Sequence, residues 1–282
     1  MAAGATRLQG HFLAGEGGPL AVVTREPAGT PAFAVLYLPP FGDEMNKARR
    51  MVSLQAQALA AAGGAVAVLD PRGTGDSGGD HGDATWEGWR ADAALAFAWL
   101  ARRTGRIPLV WGLRLGGTLA VDAMTQRAIA PSAVLLWQPV TRGKVYANQV
   151  LRLATVQQQV DGAHGRGAGA LREALRAGRP VEIAGYALHP RLFQAIEDRD
   201  LQAVAPPGIP VVWREVASTA QESPSPAVDA VVGGWRAART EIDVATVTGP
   251  PFWMTQEIEV APSLVTSTTD AVRHLSGVHA SH

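Results

Sequence analysis

One short stretch of the sequence places glycines on both sides of a charged residue, between an apolar run and a helix-like segment. It reads Gly112-Leu113-Arg114-Leu115-Gly116. Glycines at this spacing line a tight strand-to-helix turn, which presents the side chain of its central residue for nucleophilic attack when that residue is a serine. The central residue here is Arg114, whose guanidinium stays protonated and only donates hydrogen bonds. We therefore expect a fixed positive charge, and no nucleophile, at the tip of this turn.

The elements that must position this turn alternate between apolar strands and helices. The glycines between the first two strands indicate a hairpin, and continuous apolar runs are typical of strands buried on both faces. The predicted strands cover residues 9–14, 19–25, 33–38, 65–69, 107–111 and 133–137, and the predicted helices cover residues 46–62, 86–103 and 115–127. This alternation predicts an α/β fold with a mostly parallel central sheet flanked by helices.

The strand pattern stops after residue 137 and returns later. Residues 138–207 show helical patches at 144–159, 168–177 and 191–201, which favour an inserted helical cap. Strands at 209–213 and 242–247, with a helix at 227–239 between them, then complete the sheet. The expected organisation is one structural domain: residues 1–137 as the first half of the core, 138–207 as the cap, and 208–282 as the rest of the core and a tail.

Several motifs resemble known families. The loop Asp70-Pro71-Arg72-Gly73-Thr74-Gly75-Asp76-Ser77 has the pattern D-x-R-G-x-G-x-S of α/β-hydrolases, and a helix with Trp86 and Asp92 follows it. More narrowly, residues 39–50, the turn around Arg114 and Gly185-Tyr186 resemble the exosortase A system-associated hydrolase 2 group. That group occurs in bacteria with PEP-CTERM protein sorting and exopolysaccharide loci. The resemblance implies an α/β-hydrolase fold with a cap, and hydrolysis of an ester, amide or thioester of unidentified substrate.

The same resemblance indicates where an acid and a base should lie. The acid follows a late strand, where Glu215 comes after residues 211–213. The base is a histidine after the last strand, but that turn, residues 249–253, ends in Phe252 and Trp253. His274, His279 and His282 come later and are expected to be tail or surface residues. Serine-triad catalysis is therefore not expected, and the degenerate triad positions are Arg114, Glu215, Phe252 and Trp253.

A cation at the start of a helix is unfavourable because the helix dipole is positive there, so Arg114 needs a negative partner. One alternative is an internal ion pair with Asp43, Glu44 or Glu215. The other is an anionic ligand, because a guanidinium beside helix N–H groups binds phosphate or carboxylate. Both alternatives stay open from sequence. The candidate pocket and anion-binding residues are Phe41, Asp43, Glu44, Arg114, Leu115 and Trp253.

Three further patterns in the sequence resemble functional motifs but have simpler structural explanations. Ser77 is better explained by a hydrogen bond within its turn than as a nucleophile. Gly73, Gly75 and Gly78 match a dinucleotide-binding pattern in letters only, since no helix is predicted to begin at the third glycine. The segment 80–83, Asp-His-Gly-Asp, lacks the ligand spacing of a known metal site. No cofactor and no metal are predicted.

The composition limits the partners. The 282 residues contain 25 basic and 25 acidic side chains, so neither nucleic acid nor an anionic membrane surface is favoured as a partner. Cysteine is absent, which removes disulfides and a cysteine nucleophile. No apolar stretch reaches the 18 residues of a membrane span. A cytoplasmic location is the expectation.

Three functions fit these observations. The first is a hydrolase of the exosortase-associated type, as the resemblance implies, in which Glu44, Asp43 or Glu215 would position a directly attacking water. Alternatively, the chain is a non-catalytic protein that binds an anionic metabolite, or an acyl or sugar derivative, in the former pocket. The third alternative is an interaction module for another protein of the same locus.

Overall fold

A computed structural model describes residues 5–160, 167–183, 185–204, 208–219 and 224–278. The strands within them are β1 (Thr6–Gly15), β2 (Gly18–Pro27), β3 (Phe33–Leu38), β4 (Gly64–Leu69), β5 (Leu109–Leu113), β6 (Val134–Trp137), β7 (Val181–Ile183), β8 (Tyr186–Leu188), β9 (Val211–Ala217) and β10 (Ile242–Thr248). Eight of these strands form one sheet in the order β1-β2-β4-β3-β5-β6-β9-β10. β7 and β8 form a separate antiparallel hairpin.

The large sheet is antiparallel at one edge and parallel elsewhere. β1 and β2 form a hairpin, and β2 runs antiparallel to β4. All neighbours from β4 to β10 pair in parallel. Every residue of β3, β5 and β6 is buried, because helices cover both faces of the central strands. The predicted mostly parallel sheet flanked by helices is confirmed.

Eight α-helices lie within the described residues: α1 (Asp43–Ala61), α2 (Trp86–Thr104), α3 (Leu115–Thr125), α4 (Gly143–Val160), α5 (Ala168–Arg176), α6 (Pro190–Glu197), α7 (Pro226–Ala237) and α8 (Pro262–Leu275). α1 and α8 pack on the face of the sheet that carries Val35 and Trp111. α2, α3 and α7 pack on the opposite face, which carries Leu36 and Val110. α1, α2, α7 and α8 each bury one apolar side against the sheet, whereas α3 is buried on all sides.

The segment between β6 and β9 contains α4, α5, α6 and the β7–β8 hairpin. Hydrogen bonds attach it to the core at several points; for example, Arg199 Nη1 donates to Asp122 Oδ1 of α3 at 2.6 Å, and Asn46 Nδ2 of α1 donates to the Tyr186 hydroxyl at 2.7 Å. The β7–β8 hairpin was not predicted. The predicted end of the cap, Pro207, lies outside the described residues. Among the described residues, no helix is long and apolar enough to cross a membrane.

Several element boundaries differ from the prediction, and one helix was not predicted. β5 begins at Leu109, two residues later than predicted, because Ile107 is exposed and precedes Pro108. α1 begins at Asp43, so that Asp43 and Glu44 lie in its first turn, where the helix dipole favours acidic side chains. The tail forms α8, whose run of hydroxyl and β-branched residues gives a weak helical signal. Burial of Leu264 and Val272 against the sheet compensates for that low propensity.

Candidate functional site

The turn after β5 has the backbone geometry predicted from its glycines. Arg114 precedes the first residue of α3, with φ 53° and ψ −120°. A non-glycine residue in this left-handed region costs about 1–3 kcal/mol. The Arg114 N–H donates to the Trp137 carbonyl at 2.9 Å, and the Arg114 carbonyl accepts from the Gly117 N–H at 3.0 Å. These bonds hold the strained residue between β6 and α3.

The glycines around Arg114 are required by close backbone contacts. A Cβ at Gly112 would lie 2.4 Å from the Gly117 Cα, and a Cβ at Gly116 would lie 2.2 Å from the Leu38 carbonyl oxygen. Neither backbone neighbour can move aside without displacing a strand or helix. The turn therefore has the close backbone packing of a nucleophile turn, but its central residue, Arg114, is not a nucleophile.

The Arg114 side chain is held by one carboxylate and two aromatic rings. Its Nε donates to Glu44 Oε1 at 3.3 Å, and its Nη1 donates to the Gln138 carbonyl at 3.4 Å. The guanidinium carbon lies 5.5 Å from the ring centroids of both Tyr146 and Trp253, within cation–π range. The side chain is only 15% exposed. Of the two alternatives left open by the sequence, this geometry corresponds to the internal ion pair.

Glu44, in the first turn of α1, is the acidic partner. Its second oxygen accepts a hydrogen bond from the Tyr146 hydroxyl at 3.1 Å. Burial raises the pKa of the Glu44 carboxyl, while the Arg114 charge and the Tyr146 hydrogen bond oppose that rise. Asp43 is instead bonded to Lys47 at 2.9 Å, with both side chains substantially exposed. Asp43 therefore forms a surface pair, separate from that of Arg114.

Glu215 lies inside β9, where it pairs with Thr246 of β10, and not in a loop after the strand as predicted. The parallel pairing with β10 continues to Ala217, which extends β9 past the predicted end. The carboxylate accepts from Trp213 Nε1 at 2.7 Å and from Gln138 Nε2 at 3.0 Å. Burial raises the pKa of Glu215 to about 7, against the opposing effects of the Trp213 hydrogen bond and the Arg114 charge.

The loop after β10 is filled by aromatic side chains. Phe252 and Trp253 are both buried, and their ring centroids lie 5.0 Å apart with an edge-to-face orientation. Phe252 also contacts Trp137 of β6, at 6.1 Å between centroids. Trp253 thus lies beside Arg114, in the loop where the resemblance places a histidine. His274 is exposed near the end of α8, and His279 and His282 lie outside the described residues.

Phe41 and Leu115 lie together on the other side of the turn. They border a void of only about 10 Å³, with Trp86 and Trp89 among its further walls. A space of this size accommodates no more than a water molecule. The described side chains therefore nearly fill the space between Phe41 and Leu115.

The D-x-R-G-x-G-x-S loop is a structural element. Arg72 forms a bidentate pair with Asp92 of α2, including an Nη2–Oδ1 distance of 2.7 Å. The Ser77 hydroxyl donates to the Asp70 carbonyl and accepts from the Ala21 N–H at 2.8 Å, which fixes the loop to β2. No helix begins at Gly78. Within the described residues, no group of three acidic or histidine side chains is arranged to hold a metal.

Two residues of the site were not predicted from the sequence. Tyr146 comes from the cap helix α4, and it contacts both Glu44 and Arg114. Gln138 follows β6 with φ 43° and links Arg114 to Glu215. Its backbone carbonyl accepts from Arg114, and its side-chain amide donates to Glu215. The position of Gln138 directly after a buried strand was the only available signal.

Comparison with known proteins supports the architecture. The profile of the family described as serine aminopeptidase, S33 (Hydrolase_4) matches residues 41–166. No curated protein sequence gives a significant match. Among solved structures, Est1E from Butyrivibrio proteoclasticus with bound ferulic acid superposes with a TM-score of 0.65 at 15% identity, covering 94% of this chain and 96% of that chain.

Two further structures are similar at 15% identity. XC6422 from Xanthomonas campestris, an α/β serine hydrolase without a lid, has a TM-score of 0.56 and covers 98% of this chain and 97% of its own. Brefeldin A esterase, a bacterial homologue of human hormone-sensitive lipase, has a TM-score of 0.57 and covers 97% of this chain and 76% of its own. The chain has the α/β-hydrolase fold, with a mostly parallel eight-stranded sheet flanked by helices.

Proposed function

We propose that the chain is a divergent α/β-hydrolase of the esterase and lipase kind, of the exosortase A system-associated hydrolase 2 type. In this proposal it binds an anionic group at Arg114 and lacks serine-triad hydrolysis. The fold and the matched family profile support the hydrolase origin. The residues at the turn support a change from serine-triad hydrolysis to anion binding, because function depends on the residues of the site and not on the fold alone.

The observation that carries the proposal is the position of Arg114 at the tip of the turn, held between Tyr146 and Trp253. Acyl transfer through a covalent acyl-enzyme needs a nucleophile such as a hydroxyl or thiol with an adjacent base. Arg114 supplies neither group, and Trp253 and Phe252 fill the loop in which the base would lie. A guanidinium at a helix N-terminus instead suits recognition of a carboxylate or phosphate.

An anionic ligand must take the place of the Glu44 carboxylate on Arg114. Burial raises the pKa of Glu44, so Glu44 gives up its charge more readily than an exposed carboxylate would. Glu44 then takes up a proton as the ligand binds, and Tyr146 keeps it hydrogen-bonded. Binding is therefore expected to strengthen as the pH falls, as long as the ligand stays ionised.

The binding test is calorimetry with inorganic phosphate, acetate and glucose 6-phosphate as probes. Acetate stays mostly ionised over this range, so tighter acetate binding at pH 5.5 than at pH 8, with proton uptake, supports the proposal. Arg114→Ala should lose at least tenfold in affinity, whereas Arg50→Ala, an exposed arginine of α1, should bind as the wild type does. Equal affinity of Arg114→Ala and the wild type for all three probes would contradict the proposal.

One observation favours a second candidate, hydrolysis by a directly activated water. Glu215, with a pKa of about 7, has the proton affinity of a general base at neutral pH. Its hydrogen-bond link to Arg114 through Gln138 would place that base beside a cation able to stabilise an oxyanion.

The two candidates predict different results with a fluorophosphonate probe and a panel of activated esters. The binding proposal predicts neither labelling nor turnover. Turnover without labelling, lost in Glu215→Gln, would favour the water mechanism. Labelling of the wild type at a serine would overturn both candidates.

We also infer a cytoplasmic protein that acts beside another enzyme of the same locus. The resemblance to the exosortase-associated group supports this inference. Affinity purification of the tagged chain from its native host, with quantitative mass spectrometry, tests it. Enrichment of a locus-encoded protein is the expected result, and its absence under crosslinking conditions would contradict the inference.

A further inference from the structure

A second cavity lies away from the turn, between α1 and the antiparallel edge of the sheet. Its volume is about 220 Å³. Its polar lining residues are Arg25, Tyr37, Arg49, Ser53 and Asp70, and the rest of the lining is apolar. Neither Arg114 nor Glu44 lines it, so the cavity is distinct from the site described above. No role in that site explains it.

The wall of this cavity contains a buried polar group with no partner. Tyr37 is only 2% exposed, and its hydroxyl makes no hydrogen bond to the described residues. Buried hydroxyls in folded proteins are almost always hydrogen-bonded, so an unpaired one points to a missing partner. Burial raises the pKa of Tyr37 well above its usual value, and the side chain is therefore a neutral donor at physiological pH.

The charged residues around the cavity leave one positive charge in excess. Arg49 pairs with Asp70 through two long contacts, Nη2–Oδ2 at 3.3 Å and Nη1–Oδ1 at 3.5 Å. Asp70 also accepts from the Asp76 N–H at 3.1 Å, which fixes its carboxylate. Arg25, the second cation, makes a 3.4 Å contact to the neutral Thr6 hydroxyl. Two guanidiniums against one carboxylate favour a ligand with a single negative charge.

The remaining walls are apolar. Met45, Val52 and Ala56 come from α1, and Val68 comes from β4. At the outer rim, Leu8 is 60% exposed and Val23 is 42% exposed. Covering such side chains with an aliphatic chain removes apolar surface from water, which is favourable.

We propose that this cavity binds an amphipathic monoanion, a carboxylate with a short aliphatic chain. The carboxylate lies toward Arg49 and Arg25. A shift of the lining side chains lets it accept a hydrogen bond from the Tyr37 hydroxyl, which is otherwise buried. The chain packs against Val52, Ala56 and the rim. The volume is below the 300–1,000 Å³ typical of pockets for larger ligands, so the chain is short.

The test uses octanoate as the probe in calorimetry, with acetate, octanol and octylamine as comparators. At pH 8, where carboxylate binding at the turn is expected to be weak, saturable 1:1 binding of octanoate, at least tenfold tighter than that of each comparator, is the expected result. If octanol bound as tightly as octanoate, the carboxylate charge would not contribute to binding, and the proposal would be contradicted. No saturable binding of octanoate up to its solubility limit would overturn the proposal.

Variants locate the bound probe. Tyr37→Phe and Arg49→Gln should each weaken octanoate binding about tenfold, and Ser53→Phe, on the exposed face of α1, should block entry. Arg50→Gln, the exposed neighbour of Arg49, is the matched control and should bind normally. Circular dichroism and melting temperature show whether each variant is folded.

The same variants separate this proposal from binding at the turn. Arg114→Ala should leave octanoate binding unchanged while it loses phosphate binding. Octanoate binding lost in Arg114→Ala and kept in Ser53→Phe would place the carboxylate at the turn and overturn the cavity proposal. Phosphate binding unaffected by Arg114→Ala would overturn only the proposal for the turn.

Discussion

Arg114 and Glu44 form an ion pair whose side chains are 15% and 18% exposed, with the Arg114 Nε 3.3 Å from Glu44 Oε1. The pair joins the start of α3 to the start of α1. It brings a negative charge to a cation that the dipole of α3 disfavours, and the carboxylate itself lies where the dipole of α1 favours it. A single ion pair thus offsets the unfavourable cation at the start of α3 and places a favourable carboxylate at the start of α1.

Removing the carboxyl group of Glu44 is expected to destabilise the fold. Glu44→Ala should lower the unfolding free energy by about 2–3 kcal/mol, because the largely buried Arg114 guanidinium and the Tyr146 hydroxyl both lose their hydrogen-bond acceptor. Asp43→Ala, in the same helical turn, breaks only an exposed pair and should cost less than about 1 kcal/mol. Urea unfolding measures both values. Equal losses in the two variants would contradict a special role for Glu44.

Glu215 should make stability depend on pH. Its folded-state pKa of about 7 lies above the ordinary value of 4.5, so between these pH values the folded state binds more protons than the unfolded state. The unfolding free energy therefore falls as the pH rises through this window and levels off above it. Glu215→Gln removes this contribution. The unfolding free energy of the variant, relative to that of the wild type, should therefore rise by about 3 kcal/mol between pH 4.5 and pH 7.5.

The measurement is urea unfolding of both proteins at half-unit pH intervals. Other titrating groups cancel in the difference between variant and wild type. Glu241→Gln, an exposed glutamate, is the control and should stay parallel to the wild type. A constant difference between Glu215→Gln and the wild type across the window would show that Glu215 does not titrate there.

Phe252 is expected to act as a core residue. Phe252→Ala should cost about 3–5 kcal/mol, as for other fully buried aromatic side chains. Met254, two residues later, is 54% exposed, and Met254→Ala should change stability by no more than about 0.5 kcal/mol. Thermal and urea unfolding compare the two. A small effect of Phe252→Ala would mean that this loop is only loosely packed.

Gly116 should not tolerate a side chain. Gly116→Ala places a Cβ against the Leu38 carbonyl, and the resulting backbone shift should cost about 3 kcal/mol or more. Gly10→Ala is the matched control, since a Cβ there meets nothing within 4 Å and should be neutral or stabilising by up to about 1 kcal/mol. Soluble yield and urea unfolding measure the difference. Similar behaviour of the two variants would refute the close approach of α3 to β3.

Local patterns predicted most of the fold. The apolar run at residues 33–38 coincides with β3, and the glycines around Arg114 produced the expected turn. α8 was missed because its sequence has weak intrinsic helical preference and depends on packing against the sheet. The extension of β9 was missed because pairing with β10 decides where that strand ends. Both failures involve contacts between residues distant in sequence.

The site was predicted less completely than the fold. Glu44 was one of three acidic partners predicted for Arg114, and no local pattern distinguishes it from Asp43 next to it. The orientation of α1 about its axis determines which of the two pairs with Arg114, because it directs Glu44 to the turn and Asp43 to Lys47. Tyr146 was missed because it belongs to the cap, whose packing on the core no local pattern specifies.

The packing of Phe252 and Trp253 also bears on how this protein can change over evolutionary time. A serine at position 114 requires a single substitution, and the surrounding glycines already leave space for it. A histidine in the loop after β10 requires replacement of a core aromatic ring, which lowers stability before it offers any advantage. Selection for activity therefore has no single-step route from this sequence. A designer who wants a hydrolase on this frame should rebuild that loop first and introduce the serine second.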